Sequence, residues 1–190
     1  RWQRDSDLAG IRDAEELAKL PAAEQQALAQ FWADAAAILA KADGGFRALP
    51  ALQQVAELRK ELQKRNRLFS GTLTPIIEKD IVTGLKFNVD RVLDIAPVSA
   101  LVHLKFLEVR GTFPDKGQLS DLSPLQGMSL NHLDCESTQV SDLTALRGMP
   151  LTRVSCSHTP VSDLTPLQGM ALEELGIAGT RVSDLSPVKG

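Results

Sequence analysis

Three histidines and two cysteines are the side chains of this 190-residue sequence whose chemistry could support metal binding or nucleophilic catalysis. His103, His132 and His158 have no group of cysteine, histidine or carboxylate residues recurring near them at the spacing of a metal site. The serines nearby lie in no recognisable nucleophile motif, and a nucleophile also needs a base and an orienting group. We therefore expect surface histidines and a non-enzymatic protein, with no catalytic residue, no metal and no cofactor.

The two cysteines, Cys135 and Cys156, lie 21 residues apart, which indicates equivalent positions of a repeat. We interpret them as small buried hydrophobic side chains, because apolar residues surround both of them. The distance between adjacent strands would allow a disulfide. Parallel side-chain directions and the apolar neighbours argue against one.

Aspartates recur with the same periodicity, and they could either cap turns or form a ladder of calcium sites. Four of them follow a serine and precede a leucine, and the earliest lies between Leu93 and Ile95. The sequence lacks the glycine-rich nonapeptide of calcium-binding repeats, which favours turn capping by the carboxylates. The residues are Asp94, Asp121, Asp142, Asp163 and Asp184.

The sequence in the C-terminal half repeats every 21 residues. Segments 119–128, 140–149 and 161–170 align without gaps. Each copy continues into the pattern L-x-x-[LV]-x-[CI]-x-x-T-x-V, the leucine-rich-repeat signature with Thr where the usual pattern has Asn. An earlier, degenerate copy spans 93–119 and is six residues longer, five of them in segment 113–117, which we interpret as a loop.

Alternation of side chains in the strand half of each copy predicts an inner face and an outer, concave face. Leu133 and Cys135 should point inward, whereas His132, Asp134 and Glu136 should point outward. Outward residues differ between copies, which favours recognition of a partner, although a merely solvated face would vary as well. The candidate protein-binding residues, with Phe106 as the exposed aromatic anchor, are Phe106, Glu108, Arg110, His132, Asp134, Glu136, Arg153, His158 and Glu174.

A helical periodicity replaces the repeat in the first 70 residues. Apolar residues at three- and four-residue steps predict helices over about 8–19, 21–42 and 50–66, the last with Leu52, Val55, Leu58 and Leu62 on one side. Two β-rich segments, 73–78 and 81–87, are separated by Lys79 and Asp80 and predict a hairpin that caps the repeats.

These patterns together predict an α+β fold. It is a leucine-rich-repeat solenoid with parallel β-strands on the concave face and short turns or 3₁₀ segments on the convex face, because 21 residues leave no room for a long helix. We expect an N-terminal helical segment in 1–45, a capping helix and hairpin in 46–92, and the repeats in 93–190.

Composition and charge exclude two classes of partner. The net charge is −3, from 11 basic and 10 acidic residues in 1–70 and 10 basic and 14 acidic residues in 71–190. Neither part has the basic surface that nucleic acid requires. No apolar run is long enough to enter a membrane and no signal peptide opens the chain, so we favour a cytoplasmic location.

The ends of the sequence indicate a fragment of a longer protein. It begins without Met and stops at Gly190, inside a further copy of the repeat. A strand edge left uncapped there predicts homo-association through the C-terminal end.

The "SDLxPLxGMxL" runs, the "LDC" and "VSC" strands and the "TPIIEKDIVTGLKF" hairpin resemble the leucine-rich repeats of large planctomycete proteins. The stretch 2–42 is similar to a helical region of the same proteins, so the resemblance covers nearly the whole chain. Many of these proteins carry a serine/threonine protein kinase domain, but no kinase motif is present in this sequence. The resemblance implies a protein-interaction module or, alternatively, a regulatory or spacer region that acts in cis on a kinase domain.

Overall fold

A computed structural model describes residues 45–113 and 117–189. This part of the chain contains one longer α-helix and a six-stranded sheet whose strand order follows the chain order. The predicted helices over 8–19 and 21–42 lie outside the described residues, and the division into three domains stays a prediction. The elements are α1 (Ala51–Arg65), β1 (Thr74–Glu78), β2 (Ile81–Asn88), β3 (Phe106–Arg110), β4 (His132–Asp134), β5 (Arg153–Ser155) and β6 (Glu174–Gly176).

The predicted hairpin is formed by β1 and β2, which pair antiparallel. Lys79 and Asp80 form its two-residue turn with φ values of 50° and 60°. Two consecutive positive φ angles match the right-handed twist of the flanking strands, which is why such turns connect hairpins. Asp80 also accepts a hydrogen bond of 3.0 Å from the Ala51 N–H, so the turn is tied to the beginning of α1.

From β2 onward the strands pair in parallel, and one register runs through the whole sheet. Equivalent leucine and valine residues of successive copies are direct neighbours in this register, as the repeat predicts. The column consists of Leu85, Leu107, Leu133, Val154 and Leu175. The repeated part of the chain is therefore a leucine-rich-repeat solenoid.

Short 3₁₀ segments form the side opposite the strands, as the repeat length predicts. They span Ala96–Ala100, Ser123–Leu125, Thr144–Leu146, Thr165–Leu167 and Ser186–Val188. Gly127, Gly148 and Gly169 follow three of them with φ between 71° and 78°. A side chain there would strain the backbone, which explains the glycine of each "GM" pair.

The core is a continuous column of aliphatic side chains between the strands and the 3₁₀ segments. Cys135 and Cys156 belong to it as free, buried thiols, as predicted. In the copy that contains β6 the equivalent side chains, among them Leu172 and Leu175, are only half-buried. Burial of the core therefore decreases toward this end of the described chain.

Helix α1 packs on the first repeat through Ala51, Leu58 and Leu62, which are buried, and half-buried Val55. The prediction that Leu52 belongs to this face is wrong, because its side chain is 70% exposed. Buried Asn66 connects the end of α1 to the repeat. Its Nδ2 donates to the Leu62 and Asp94 carbonyls at 2.9 and 2.8 Å, and its Oδ1 accepts from the Leu93 and Asp94 N–H groups.

Candidate functional site

The strand register places seven of the nine candidate residues on one surface, the outward side of β2–β6, which we call the concave face. Glu136, just after β4, joins them through its contacts with Ser155 and Arg110. Side chains of the same register position form rows across the strands. The first row is Gly84, Phe106, His132, Arg153 and Glu174, and the second is Lys86, Glu108, Asp134, Ser155 and Gly176. Arg110 and Glu136 follow at the next outward positions.

Arg110 is the centre of an ion-pair network on the concave face. Its Nη2 donates a hydrogen bond to Asp134 Oδ2, while Nε lies 3.7 Å from Glu108 Oε1 and Nη1 lies 3.9 Å from Glu136 Oε2. The hydrogen bond to Asp134 and the three carboxylates raise the pKa of Arg110, which partial burial opposes. Lys86 extends the network with an ion pair of 3.0 Å to Glu108. Three of the candidate carboxylates therefore share one guanidinium group.

Asp134 lies on the outward side of β4 as predicted, but the prediction that its side chain is exposed is wrong. Only 2% of the residue is accessible to solvent. Arg110 pairs with one carboxylate oxygen and the Glu136 N–H donates to the other at 3.1 Å. Asp134 therefore holds Arg110 and the end of β4 in place.

Phe106 was predicted as the exposed aromatic anchor. The predicted exposure is wrong, since the residue is half-buried, and its role in binding stays a prediction. His132 stacks on its ring with the centroids 4.3 Å apart and the planes at 18°. The Lys86 ammonium lies 4.9 Å from the centroid of the same ring. Burial lowers the pKa of His132, and Arg153 acts in the same direction, whereas Asp134, Glu108 and Glu174 oppose the shift.

A cavity of about 440 Å³ opens on the concave face beyond this stack. Gly176 has no side chain, and Ser155 beside it donates a hydrogen bond of 2.6 Å to Glu136 Oε1. Small residues at two adjacent positions leave the surface recessed between longer charged side chains. The cavity is lined by Arg110, His132, Asp134, Glu136, Arg153, Val154, Ser155, Glu174, Leu175 and Gly176.

His158 is the candidate residue that does not lie in the strand rows. It follows β5 in a turn, with φ of 58°. The ring of Phe113 lies against it, with the centroids 5.1 Å apart, and Phe113 is 66% exposed. Sequence reasoning missed Phe113 as a surface residue of interest. The signal was present, because an aromatic residue begins the five-residue insertion that the other copies lack.

The thiols of the core are poorly suited to reactions that require a thiolate. Burial raises the pKa of Cys135 well above its ordinary value and that of Cys156 to about 11. Within residues 45–113 and 117–189, histidine, cysteine and carboxylate side chains form no group of three that could hold a metal ion. In the same residues, no helix combines the length and the apolar character needed to cross a membrane.

No family model matches the chain, and neither does any curated protein. Among solved structures it is similar to internalin C2 from Listeria monocytogenes, with 31% identity, a TM-score of 0.46 and coverage of 52% of this chain and 42% of that one. A second internalin of the same species, inlF, gives 19% identity, a TM-score of 0.47 and coverage of 74% and 49%. The match therefore spans less than half of either internalin, and the repeat fold rests on the strand register described above.

Proposed function

We propose that this chain is a non-enzymatic protein-interaction module that binds its partner through the concave face. The observation that carries the proposal is the combination of a regular lattice of dissimilar side chains with a cavity of about 440 Å³ among them. The repeat fixes the spacing of the outward positions, and the residue types at those positions are free to match a partner. Solenoid proteins commonly bind through such surfaces.

The exposed aromatic ring of Phe113 supports the same use of this surface. Aromatic residues are enriched at the centres of protein interfaces, whereas a soluble surface usually leaves few of them accessible. Phe113 stands on His158, which follows the strand that contributes Arg153 and Ser155 to the cavity. The binding surface therefore includes the turns at the carboxyl ends of the strands.

Site-specific photocrosslinking tests the proposal. A photoreactive residue is introduced at Arg153 or Phe113 of the full chain, and at Gln126 or Gln168 as matched exposed positions beside the 3₁₀ segments. In extracts of cells that naturally contain this protein, we expect the same discrete protein to crosslink to Arg153 and Phe113 but not to Gln126 or Gln168. Crosslinks of equal yield from the second pair would contradict the use of the concave face.

A kinase domain of a longer parent protein is the alternative partner, favoured by the resemblance of the repeats to those of kinase-carrying proteins. In that case the crosslink from Arg153 would form within the parent chain. A product formed with a separate protein would contradict this alternative and support an external partner. A crosslinked dimer of the chain itself would point to homo-association.

A further inference from the structure

The charges of the concave face are unbalanced. On this face, taken over the described residues, ion pairs connect three cations to four carboxylates. The cations are Lys86, Arg110 and Arg153, and the carboxylates are Glu108, Asp134, Glu136 and Glu174. Every one of these cations already has a carboxylate within 4 Å. An anionic ligand would have to displace such a partner, whereas a cationic group would meet surplus negative charge.

Two carboxylates that line the cavity keep acceptor capacity for such a group. Glu136 accepts the Ser155 hydroxyl on Oε1, and its Oε2 is 3.9 Å from the Arg110 guanidinium, which is beyond hydrogen-bond distance. Glu174 Oε2 is 3.6 Å from Arg153 Nε, and 68% of its side chain is exposed. A carboxylate offers about four lone-pair sites, so neither is saturated by these contacts.

The space between these carboxylates suits one long side chain. The cavity is open to solvent on one side, and its volume of about 440 Å³ has room for an extended side chain. The space depends on Gly176, because a Cβ atom there would come within 3.1 Å of Ser157 Oγ and closer still to Ser155 Oγ. Its φ is outside the left-handed region, so alanine is compatible with the backbone, but its Cβ would displace the Ser155 hydroxyl and narrow the cavity.

We propose that the cavity beside Ser155 and Gly176 receives a lysine or arginine side chain from the partner protein, with Glu136 and Glu174 as its carboxylate acceptors. The inference rests on the proposed function, since it specifies the chemistry of the partner at the same surface. Ser155 is three residues before His158, so their Cα atoms are at most about 11 Å apart. Phe113 on His158 therefore provides an apolar contact for a neighbouring residue of the same partner segment.

Selection from a random phage-displayed library of twelve-residue peptides on the full chain tests this inference. We expect enrichment of peptides with a lysine or arginine close to an apolar residue, and affinity that decreases as salt rises. The decisive comparison uses a synthetic selected peptide and its copy with the basic residue replaced by norleucine. Loss of the charge should weaken binding by about tenfold in a fluorescence polarisation assay.

Variants of the protein locate the site. Glu136→Gln together with Glu174→Gln should weaken binding of the basic peptide about fivefold, whereas the matched control Glu57→Gln with Glu61→Gln on α1 should leave it unchanged. Gly176→Ala should weaken binding as well by narrowing the cavity. If the double variant fails to fold, Glu174→Gln alone keeps the test valid, because this side chain is largely exposed.

The outcomes separate this inference from the proposed function. Enrichment of acidic peptides, or of none, would overturn the inference, as would equal binding of the norleucine peptide. If acidic or neutral peptides were selected and still lost affinity with Arg153→Glu, the concave face would remain the binding surface. If selected peptides bound every concave-face variant as tightly as the unchanged protein, both proposals would fail.

Discussion

Threonine replaces the usual asparagine at one position of this repeat, and its hydroxyl group bonds to the chain three residues earlier. Thr138 Oγ1 donates to the Cys135 carbonyl at 2.7 Å, and Thr159 Oγ1 donates to the Cys156 carbonyl at 2.5 Å. The same bond recurs at Thr180. Buried carbonyl groups need hydrogen-bond partners, and a hydroxyl at this position provides one for a carbonyl in the turn after the strand.

We predict that Thr138→Val lowers the free energy of unfolding by about 1 kcal/mol, because it removes this bond with little change of shape. Thr138 is fully buried, so water cannot replace the hydroxyl. Thr180→Val is the control, since Thr180 is half-buried and its carbonyl partner can be hydrated. Urea denaturation of both variants measures the difference, and equal effects would contradict the explanation.

His132 provides a prediction on pH. Its pKa lies below the ordinary value of 6.5, chiefly because burial on Phe106 disfavours the charged ring. The unfolded chain then binds more protons than the native one between these two pKa values, so stability is lost as the pH falls through that interval. NMR titration of the His132 ring should show the midpoint below 6.5, with the resonance assigned by its loss in His132→Gln. A midpoint at or above 6.5 would refute the prediction.

Sequence reasoning gave the direction of each concave-face side chain but not its exposure. Alternation along a strand decides whether Asp134 or Phe106 points outward, because the strand period is two. Whether an outward side chain remains accessible depends on neighbours in other strands, here Arg110 over Asp134 and His132 over Phe106. Those contacts follow from side-chain conformations that a single sequence does not reveal.

At the scale of the element, the periodic aspartates determine how each 3₁₀ segment begins. Asp163 Oδ1 accepts a hydrogen bond of 2.8 Å from the Thr165 N–H. Asp142 and Asp184 each accept the equivalent bond from the N–H group two residues later in the chain. The hydroxyl groups of Thr144, Thr165 and Ser186 bond to the same carboxylates, and the two kinds of bond together lower the pKa of Asp142, Asp163 and Asp184. A hydrogen bond of this kind in each of these copies confirms the predicted turn capping.

We predict that Asp163→Ala lowers the urea midpoint at pH 7 and that Asp163→Asn lowers it less, because an amide oxygen can accept the same bond but carries no charge. The native pKa is below 3.8, so the ionised form contributes stability above that value and loses it as the pH falls through the native pKa. The difference between wild type and Asp163→Ala should therefore shrink at pH 3. An unchanged difference at pH 3 would contradict a contribution from the charge.

Helix α1 shows where element-level prediction fails. A helical pattern gives the period of the apolar face, but Leu52 and Ala51 lie side by side at its boundary, and either could be placed inside. The hairpin turn lies close to the beginning of α1, where Asp80 accepts a hydrogen bond from the Ala51 N–H. Ala51, the smaller of the two residues, is therefore the one that is buried. Tertiary contacts of this kind, like those of Asn66, have no signature in the local sequence.

At the scale of the whole described chain, the repeat dictates the fold, and burial of the core decreases toward the last described copy. A solenoid copy buries its apolar residues against the two neighbouring copies, so the sequence period alone was sufficient to predict the parallel register. The insertion in the degenerate copy was visible in the sequence, and residues 114–116 of the predicted loop lie outside the described part of the chain. The contact of Phe113 with His158 of a later copy was not visible, because the repeat pattern does not specify side-chain contacts between distant copies.

The burial gradient makes equivalent substitutions unequal. Leu164 and Leu185 occupy the same position in consecutive copies, yet Leu164 is 1% exposed and Leu185 is 47% exposed. Leu164→Ala removes contacts on both sides and should lower the free energy of unfolding by about 2–5 kcal/mol. Leu185→Ala should cost less than half as much, because most of the lost area already faces solvent.

Urea denaturation of the full chain measures both variants, with the slope of the transition checked for equality so that the midpoints are comparable. If the two substitutions had equal effects, the contribution of a copy would depend on its sequence alone and not on its neighbours. A larger effect at Leu164 would instead indicate that contacts between successive copies stabilise this protein. The concave face would then be fixed by the same contacts, since a strand that separates from its neighbours also separates the rows that line the cavity.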